Sequence, residues 1–383
     1  MRKICVVVTA RATYGRIKTV LSAIQSHSQL ELQLVVAASA LSDKFGSVVN
    51  YIEKDGFDIT SRISNLMETG HSTFAAKTTG LGIIELAGIF ENIRPDVVVT
   101  VADRFETMAT AIAAAYMNIP LVHIQGGEVT GNIDEKVRHA ITKLADFHFV
   151  ATAASRQRVI RLGESAERIF FTGCPSIDIA IKILNNKDLP FDPYEIYGGV
   201  GPKPDLSKRY LVVMQHPVTT ESGSSKDQID QTLAAILAMD IPTLWFWPNA
   251  DHGTYETSHG IRVFREMNEH APIHFFKNMT PEHFLVLLKQ CSCLVGNSSV
   301  GIREGACLGV PVVNIGSRQN GREKGSNVID CRPAANEITQ SIWRQLNHGR
   351  YEPDFLYGKG NSGSRIADLL VEIPLLFDKK ITY

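Results

Sequence analysis

The chain reads CLVGNSSVGIREGA from residue 293 to residue 306. The apolar run 293–295 predicts a buried strand, and the Gly-Asn-Ser-Ser after it predicts a turn into a helix with Arg303 and Glu304 in its early turns. Serine and asparagine before a helix satisfy its free N–H groups, and the positive end of the helix dipole favours an anion. Two interpretations stay open for this stretch alone: an ordinary N-cap, or a cradle for a diphosphate.

Short β-branched runs alternate with longer amphipathic stretches along the rest of the chain. The runs are almost continuously apolar, which is typical of strands in parallel sheets covered on both faces. This order predicts an α/β fold with two doubly wound parallel-sheet domains. The predicted strands are 3–9, 30–37, 97–101, 121–124, 147–151 and 169–172, and then 210–215, 243–247, 273–275, 293–295 and 312–315. The predicted helices include 14–25, 80–91, 104–117, 134–144, 226–239, 281–289 and 302–308.

The domain boundaries follow from composition and length. A chain of 383 residues exceeds one typical core, so two domains are expected. Residues 185–208 are rich in Pro and Gly and are predicted to link an N-terminal domain (1–184) to a C-terminal domain (209–383). An alternative for the extreme C-terminal helix is that it packs back on the N-terminal domain.

Composition and charge exclude several classes of function. The net charge of −1, with no basic run, gives no field for nucleic acid or for an anionic membrane. No apolar segment approaches the ~20 residues that span a bilayer, and the residues after Met1 read as a first strand, so a cytoplasmic protein is expected. None of the six cysteines forms a CxxC pair and no His/Cys ligand cluster appears, so free thiols and no metal site are predicted.

Two common nucleotide-binding motifs are missing. The turn after the first predicted strand lacks GxGxxG, which disfavours a dinucleotide oxidoreductase. The absence of GxxxxGK[ST] disfavours phosphoryl transfer from ATP.

Polar residues follow nearly every predicted strand, at the edge where doubly wound sheets bind ligands. Arginines and hydroxyl groups gathered there favour a nucleotide-diphosphate ligand. Individual structural alternatives remain: Arg11 as a solvated loop charge, His216 as a core histidine, and Asp134 as a first-turn partner of the helix dipole. The strand-end residues include Arg11, Asp103, Arg104, Gln125, Glu128, His216, Asn249, Asn297, Ser298, Ser299 and Arg318.

Several long motifs, in order along nearly the whole chain, resemble the hydrolysing UDP-N-acetylglucosamine 2-epimerases of sialic acid synthesis. They are Asp103-Arg104-Phe105, Gly126-Gly127-Glu128-Val129-Thr130-Gly131-Asn132-Ile133-Asp134, Arg138-His139-Ala140-Ile141-Thr142-Lys143-Leu144, Gln215-His216-Pro217, Gly296-Asn297-Ser298-Ser299 and Gly316-Ser317-Arg318-Gln319.

The resemblance implies a GT-B fold, with two Rossmann-like domains around a central UDP-binding cleft, and a homodimer or homotetramer. It also implies a reaction without metal or cofactor. UDP-N-acetylglucosamine and water become N-acetylmannosamine and UDP through a 2-acetamidoglucal. Carried over by motif position, the catalytic residues are Asp103, Gln125, Asp134 and His216. The residues expected to contact UDP or its sugar are Arg11, Arg104, Glu128, His216, Asn249, Ser298, Ser299, Glu304 and Arg318.

Gln125 departs from the pattern of this family, whose close members carry glutamate at that position. A glutamine amide cannot accept the proton that a base must take. Three interpretations remain open: an engineered Glu→Gln change, natural variation in which Glu128 or Asp134 carries the role, or a weakened enzyme.

Three alternatives to the UDP-N-acetylglucosamine reaction also remain. One is a hydrolysing UDP-N,N'-diacetylbacillosamine 2-epimerase that serves legionaminic acid synthesis. Another is a UDP-sugar-binding protein without catalysis, which only Gln125 favours. A GT-B glycosyltransferase is the third, on fold analogy alone.

Overall fold

A computed structural model of the chain describes residues 1–67, 73–131, 133–184, 191–221, 223–248 and 253–382. The chain divides into two compact units. The first contains Met1–Glu128, Ile133–Ile179 and Tyr357–Tyr383, and the second contains Val129–Asn132 and Ala180–Leu356. The predicted linker 185–208 and most of the predicted C-terminal domain therefore lie in the second unit, whereas the last residues of that domain lie in the first.

The first unit contains a parallel sheet of seven described strands in the order β3-β2-β1-β4-β5-β6-β7. Alternate residues of β1 point to opposite faces. Ile4 and Val6 pack against α1 and α2, and Cys5 and Val7 pack against α3, α4 and α5. The strands are β1 (Arg2–Val8), β2 (Leu30–Ala37), β3 (Ile59–Ile63), β4 (Val97–Val101), β5 (Leu121–Ile124), β6 (Phe147–Val150) and β7 (Ile169–Phe171). The helices are α1 (Arg11–Ser26), α2 (Val48–Lys54), α3 (Phe74–Ile93), α4 (Phe105–Tyr116), α5 (Asp134–Leu144), α6 (Ala153–Arg161) and α7 (Pro175–Leu184), of which α7 crosses into the second unit.

The second unit repeats this design with a parallel sheet of six described strands in the order β10-β9-β8-β11-β12-β13. Apolar residues of α9 and α14 pack on one face of the sheet. The strands are β8 (Leu211–Met214), β9 (Thr243–Phe246), β10 (Ile273–Phe276), β11 (Cys293–Gly296), β12 (Val312–Ile315) and β13 (Val328–Cys331). The helices are α8 (Pro193–Tyr197), α9 (Ser225–Met239), α10 (Thr254–Met267), α11 (Pro281–Gln290), α12 (Ser299–Ile302), α13 (Glu304–Cys307) and α14 (Ala335–His348).

The last helix, α15 (Ser362–Glu372), belongs to the first unit and packs on α1. Its N-terminal amides need acceptors. Asp178 supplies them, because its carboxylate accepts hydrogen bonds from the backbone N–H groups of Ser362 (2.9 Å) and Gly363 (2.7 Å). A Cβ atom at Gly363 would lie 2.7 Å from the Thr19 carbonyl oxygen, so only glycine allows this approach of α15 to α1.

The structure corrects one predicted element at the opening motif. Residues 302–308 were expected to form a helix with Arg303 in an early turn. Instead, the chain forms the two short helices α12 and α13, separated at Arg303. No helix in the described part of the chain is long and apolar enough to cross a membrane.

Candidate active site

In the first unit, the turns after β4 and β5 lie side by side, because these strands are neighbours in the parallel sheet. Both turns begin with a residue in the left-handed region, Ala102 (φ 63°) and Gln125 (φ 66°). This conformation reverses the chain immediately after each strand. The side chain of Asp103 and the Gln125–Glu128 turn are consequently held at the carboxyl edge of the sheet, with Asp103 only 5% exposed and Glu128 1% exposed.

Arg138 is the centre of this region. It lies on the buried face of α5 and is inaccessible to solvent. Its guanidinium forms an ion pair with Asp103 and another with Glu135 (2.8 Å), and it donates to the Glu128 carbonyl oxygen (2.9 Å). Arg16 approaches the other oxygen of Asp103 at 3.5 Å. One guanidinium therefore fixes the turns after β4 and β5 relative to α5.

Arg104, predicted to bind the substrate, occupies the N-cap position of α4 and is 7% exposed. Its Nε and Nη2 atoms donate to the two carboxylate oxygens of the buried Glu106, at 3.1 Å and 3.0 Å. Such a two-point pair sets the plane of the guanidinium. Sequence reasoning did not single out Glu106, although a carboxylate two residues after a strand-end arginine was visible in the sequence.

Gln125 is buried (1% exposed) and donates from Nε2 to the Cys174 sulfur at 2.8 Å. Its Oε1 atom is buried and has no hydrogen-bond partner among the described residues. The neighbouring His123 is neutral, because burial lowers its pKa to about 3. The neutral ring donates from Nε2 to the Ala102 carbonyl oxygen (2.8 Å). The Cys174 sulfur and the neutral His123 therefore give the Gln125 side chain uncharged neighbours.

The other predicted first-unit residues begin helices. Arg11 is the first residue of α1 and is half-buried, at the end of the loop that follows β1. Asp134 is the first residue of α5 and is also half-buried. An acidic residue in a first helical turn stabilises the helix, so the location of Asp134 serves α5 as well as any chemistry.

In the second unit, His216 follows β8 and is held by the side chain of Asn297, which follows the adjacent strand β11. The Asn297 Oδ1 atom accepts from the His216 N–H (2.8 Å), and its Nδ2 donates to the His216 carbonyl oxygen (2.8 Å). Gln215, by contrast, points toward α9, where its Oε1 accepts from the Thr232 hydroxyl (2.6 Å). The two polar residues after β8 therefore serve different purposes.

The serines of the opening motif do not precede a long helix. Ser298 caps α12, a helix of four residues, and its hydroxyl accepts from the N–H of Val300. The Ser299 hydroxyl accepts from Arg303 Nη2 at 2.7 Å. Glu304 is buried (6% exposed), and its Oε2 atom accepts no hydrogen bond from a described residue. Since a long helix dipole is absent, an anion here would depend on local N–H groups and side chains.

Arg318 lies in the loop after β12 and is half-buried. Its Nη1 atom donates to the Asn297 carbonyl oxygen at 3.4 Å, and the next residue, Gln319, donates to the same oxygen at 2.9 Å. The Arg318 carbonyl oxygen accepts from the N–H of Gly131 (3.1 Å), which belongs to the short Val129–Asn132 segment of the second unit. The loop after β12 therefore contacts both the end of β11 and this segment.

Two further predictions concern Asn249 and metal binding. Asn249 lies outside the described residues. Within the described ranges, no three His, Cys, Asp or Glu side chains are grouped so that they could hold a metal ion.

The two clusters differ in the chemistry that they offer. The first unit brings together carboxylates and guanidinium groups, which can move protons and stabilise developing charge. The second brings hydroxyl, imidazole and guanidinium groups to one sheet edge, which suits a diphosphate and a ribose.

Comparisons with known proteins identify relatives over nearly the full length of the chain. A UDP-N,N'-diacetylbacillosamine 2-epimerase (hydrolyzing) of Legionella pneumophila is 37% identical over 377 residues, which cover 98% of this chain and 97% of the relative. A UDP-N-acetylglucosamine 2-epimerase of Neisseria meningitidis is 29% identical over 380 residues, which cover 97% of this chain and 95% of the relative.

The crystal structure of UDP-GlcNAc 2-epimerase from Neisseria meningitidis bound to UDP-GlcNAc superposes with a TM-score of 0.80 at 17% identity, covering 97% of this chain and 100% of that chain. This likeness confirms the predicted GT-B fold. Residues 22–371 match the family described as UDP-N-acetylglucosamine 2-epimerase, and the chain therefore belongs to that family.

Proposed function

We propose that the protein is a hydrolysing 2-epimerase that converts a UDP-linked 2-acetamido sugar and water into the 2-epimeric free sugar and UDP. The observation that carries this proposal is the buried Asp103–Arg138 ion pair beside the Glu128 turn, at the carboxyl edge of the first sheet, in a chain of the 2-epimerase family. Doubly wound sheets bind ligands at this edge, which supports a role in catalysis for the carboxylates there.

In the first step, a carboxylate removes the proton from sugar C2 while the bond from C1 to the UDP oxygen breaks. UDP leaves with the bonding electrons, and a double bond forms between C1 and C2. The departing diphosphate gains negative charge, which cationic donors stabilise more strongly in the transition state than in the bound substrate. We assign this role to Arg11, Arg104, His216 and Arg318, with Ser298, Ser299, Glu304 and Asn249 as further contacts to UDP.

In the second step, water adds to the double bond. Its oxygen bonds to C1, and a proton reaches C2 from the face opposite to the one that lost its proton. The product is the free sugar with inverted C2 configuration. The proton that water loses restores the acid, the base releases the C2 proton to UDP or to solvent, and the enzyme returns to its starting protonation state. An acid on one face and a base on the other are required, so at least two proton-transfer groups must act.

Gln125 cannot be either of these groups, because a neutral amide does not accept the proton. We propose that Glu128 and Asp134 divide the proton transfers, with Asp103 fixing the geometry through Arg138. The hydrogen bond from Gln125 to the Cys174 sulfur supports the interpretation that glutamine is the natural residue at this position, because its amide has a partner there. Gln125 then acts through hydrogen bonding from its amide.

The substrate we propose first is UDP-N,N'-diacetylbacillosamine, on the basis of the 37% identity with the Legionella relative over nearly the full length of both chains. Its product would be a 2,4-diacetamido sugar of the manno configuration, a precursor for legionaminic acid. UDP-N-acetylglucosamine is the second candidate, because the Neisseria relative is 29% identical over a comparable length. Its product would be N-acetylmannosamine, the precursor of sialic acid.

The test incubates the protein with each UDP-sugar in deuterated water and follows the products by NMR. We expect UDP release and a free 2-epimer with deuterium at C2 from one of the two substrates. Glu128→Gln and Asp134→Asn should each abolish turnover while UDP binding persists. Release of UDP from neither substrate, with UDP still bound, would show a binding protein without catalysis.

Assembly and location complete the proposal. We propose a homo-oligomer, either dimer or tetramer, which light scattering of the purified protein would identify by its mass. We also propose a cytoplasmic location, because nucleotide sugars are made and used there; fractionation of cells that produce the protein would test it.

A further inference from the structure

We propose that Asn297 is a positioning residue that orients His216 and the loop of Arg318 for UDP. This inference rests on the proposed function, since it assigns a purpose to a residue of the same site. It concerns a side chain that does not bind the substrate in the proposal and to which the sequence analysis assigned no role.

The first step of the argument is the pairing of Asn297 with the His216 backbone. Its amide meets both the N–H and the carbonyl of the same residue, each at 2.8 Å, and Asn297 is 1% exposed. The orientation of the amide is determined, because only its oxygen can accept and only its nitrogen can donate. These two hydrogen bonds fix the position of the His216 backbone. They therefore also fix the direction in which the imidazole projects from the chain.

The second step is the backbone of Asn297 itself. Its N–H donates to the Met214 carbonyl oxygen (3.0 Å), which extends the pairing of β8 with β11. Its carbonyl oxygen accepts from Gln319 Nε2 (2.9 Å) and from Arg318 Nη1 (3.4 Å). Asn297, which follows β11, is therefore bonded to residues that follow both neighbouring strands, β8 and β12.

The third step is the approach of the strands. Gly296, just before Asn297, has φ 135°, and a Cβ atom there would lie 2.1 Å from the Met214 carbonyl oxygen. Glycine lets the end of β11 come close enough to β8 for the Asn297 amide to reach the backbone of His216. The contact with His216 therefore depends on both Gly296 and Asn297.

Gln345 offers a matched control for a purely structural role. It is fully buried in the same unit, and its Nε2 atom donates to the carbonyl oxygens of Val312 (2.7 Å) and Asn327 (2.9 Å). Val312 begins β12, so these contacts lie at the opposite edge of the same sheet. Gln345→Ala removes an equivalent buried amide without touching the His216 edge.

The test compares Asn297→Ala, Gln345→Ala and His216→Ala, with the double variant of Asn297 and His216. We expect Asn297→Ala to lower kcat/KM by about tenfold or more, because a small displacement of a reacting group can cost about 10²-fold. In the His216→Ala background the same change should cost less than about threefold, since residues that act through one another are not additive. Gln345→Ala should lower the melting temperature and leave kcat/KM of the folded protein unchanged.

An NMR readout makes the test independent of turnover. The ring resonance of His216, identified by its loss in His216→Ala, should shift in Asn297→Ala and stay in place in Gln345→Ala. Additive kinetic effects, or an unshifted ring resonance, would overturn the proposal. If Asn297→Ala does not fold, Asn297→Ser is measured in the same way.

Failure of the proposed function can be told apart from failure of this inference. If the wild-type protein turns over neither UDP-sugar, the catalytic proposal fails. UDP affinity by calorimetry then replaces kcat/KM, with the same non-additivity expected between Asn297 and His216. Equal losses of affinity from Asn297→Ala in both backgrounds would refute the positioning role.

Discussion

Replacing Arg138 with methionine should strongly destabilise the first unit. The Arg138 side chain is 1% exposed and pairs with Asp103 and Glu135, and it also donates to the Glu128 carbonyl oxygen. Methionine keeps much of the volume but leaves the nearly buried Asp103 with Arg16 at 3.5 Å as its described ion-pair partner. Removing one partner of a buried pair costs about 3–5 kcal/mol, a large part of the roughly 5–15 kcal/mol that holds a domain together.

The assay is urea unfolding followed by circular dichroism, with Arg62→Met as the matched control. Arg62 pairs with Glu53 in the same unit, but both side chains are about half exposed, at 50% and 49%. Exposed pairs contribute about 0–1 kcal/mol, so this control should unfold almost as the wild type does. Adding Asp103→Asn to Arg138→Met should recover part of the loss, because the buried charge that lost its Arg138 partner is then removed.

The result that refutes this reasoning is a cost of Arg138→Met below about 1 kcal/mol, equal to that of the exposed control. The guanidinium would then not compensate Asp103. A double variant that is no more stable than Arg138→Met would likewise contradict the assigned electrostatic role.

Three further predictions follow from single positions. A Cβ atom at Gly131 would lie 2.1 Å from the Ser317 carbonyl oxygen, so Gly131→Ala should lower the melting temperature, whereas Gly88→Ala, with no atom within 4 Å, should not. Gln125→Glu should change turnover by less than about tenfold if the proton transfers belong to other carboxylates; a gain of about 10² or more would return the base role to position 125. Burial alone would raise the pKa of Glu164, but hydrogen bonds from a histidine and two lysines lower it from 4.5 to about 2. Stability should therefore fall as the pH drops from 4.5 toward 2, and less steeply in Glu164→Gln, as acid unfolding curves would show.

The interior strands could be predicted from the sequence, whereas two strands at sheet edges could not. β4 and β5 are buried at every position, and their nearly continuous apolar runs predicted both ends correctly. β3 (ITSRI) and β13 (VIDC) lie at sheet edges and are partly exposed, so their sequences include polar residues that break the apolar run. The signal of an edge strand is weak because only one neighbouring strand and part of one face constrain its sequence.

The residues that follow strands could also be anticipated, but the contacts that orient them could not. Asp103 and His216 were identified by their position after a strand. Arg138 and Asn297, which orient them, have partners 35 and 81 residues away in sequence. One signal was available for Arg138, since it shares the buried face of α5 with Val137 and Ile141. A charged residue on an apolar helix face needs a buried partner, and only the fold shows which one.

The glutamine at position 125 is consistent with the way charge is distributed in the first unit. Asp103 is buried beside the guanidinium groups of Arg138 and Arg16. The described surroundings of Gln125 instead offer the Cys174 sulfur at 2.8 Å and, beyond it, the Ser176 hydroxyl, 3.0 Å from the same sulfur. A buried carboxylate without a cationic partner costs far more than a buried amide. An amide at position 125 avoids that cost, and the proton transfers then depend on carboxylates elsewhere, which is why Glu128→Gln and Asp134→Asn are the decisive variants.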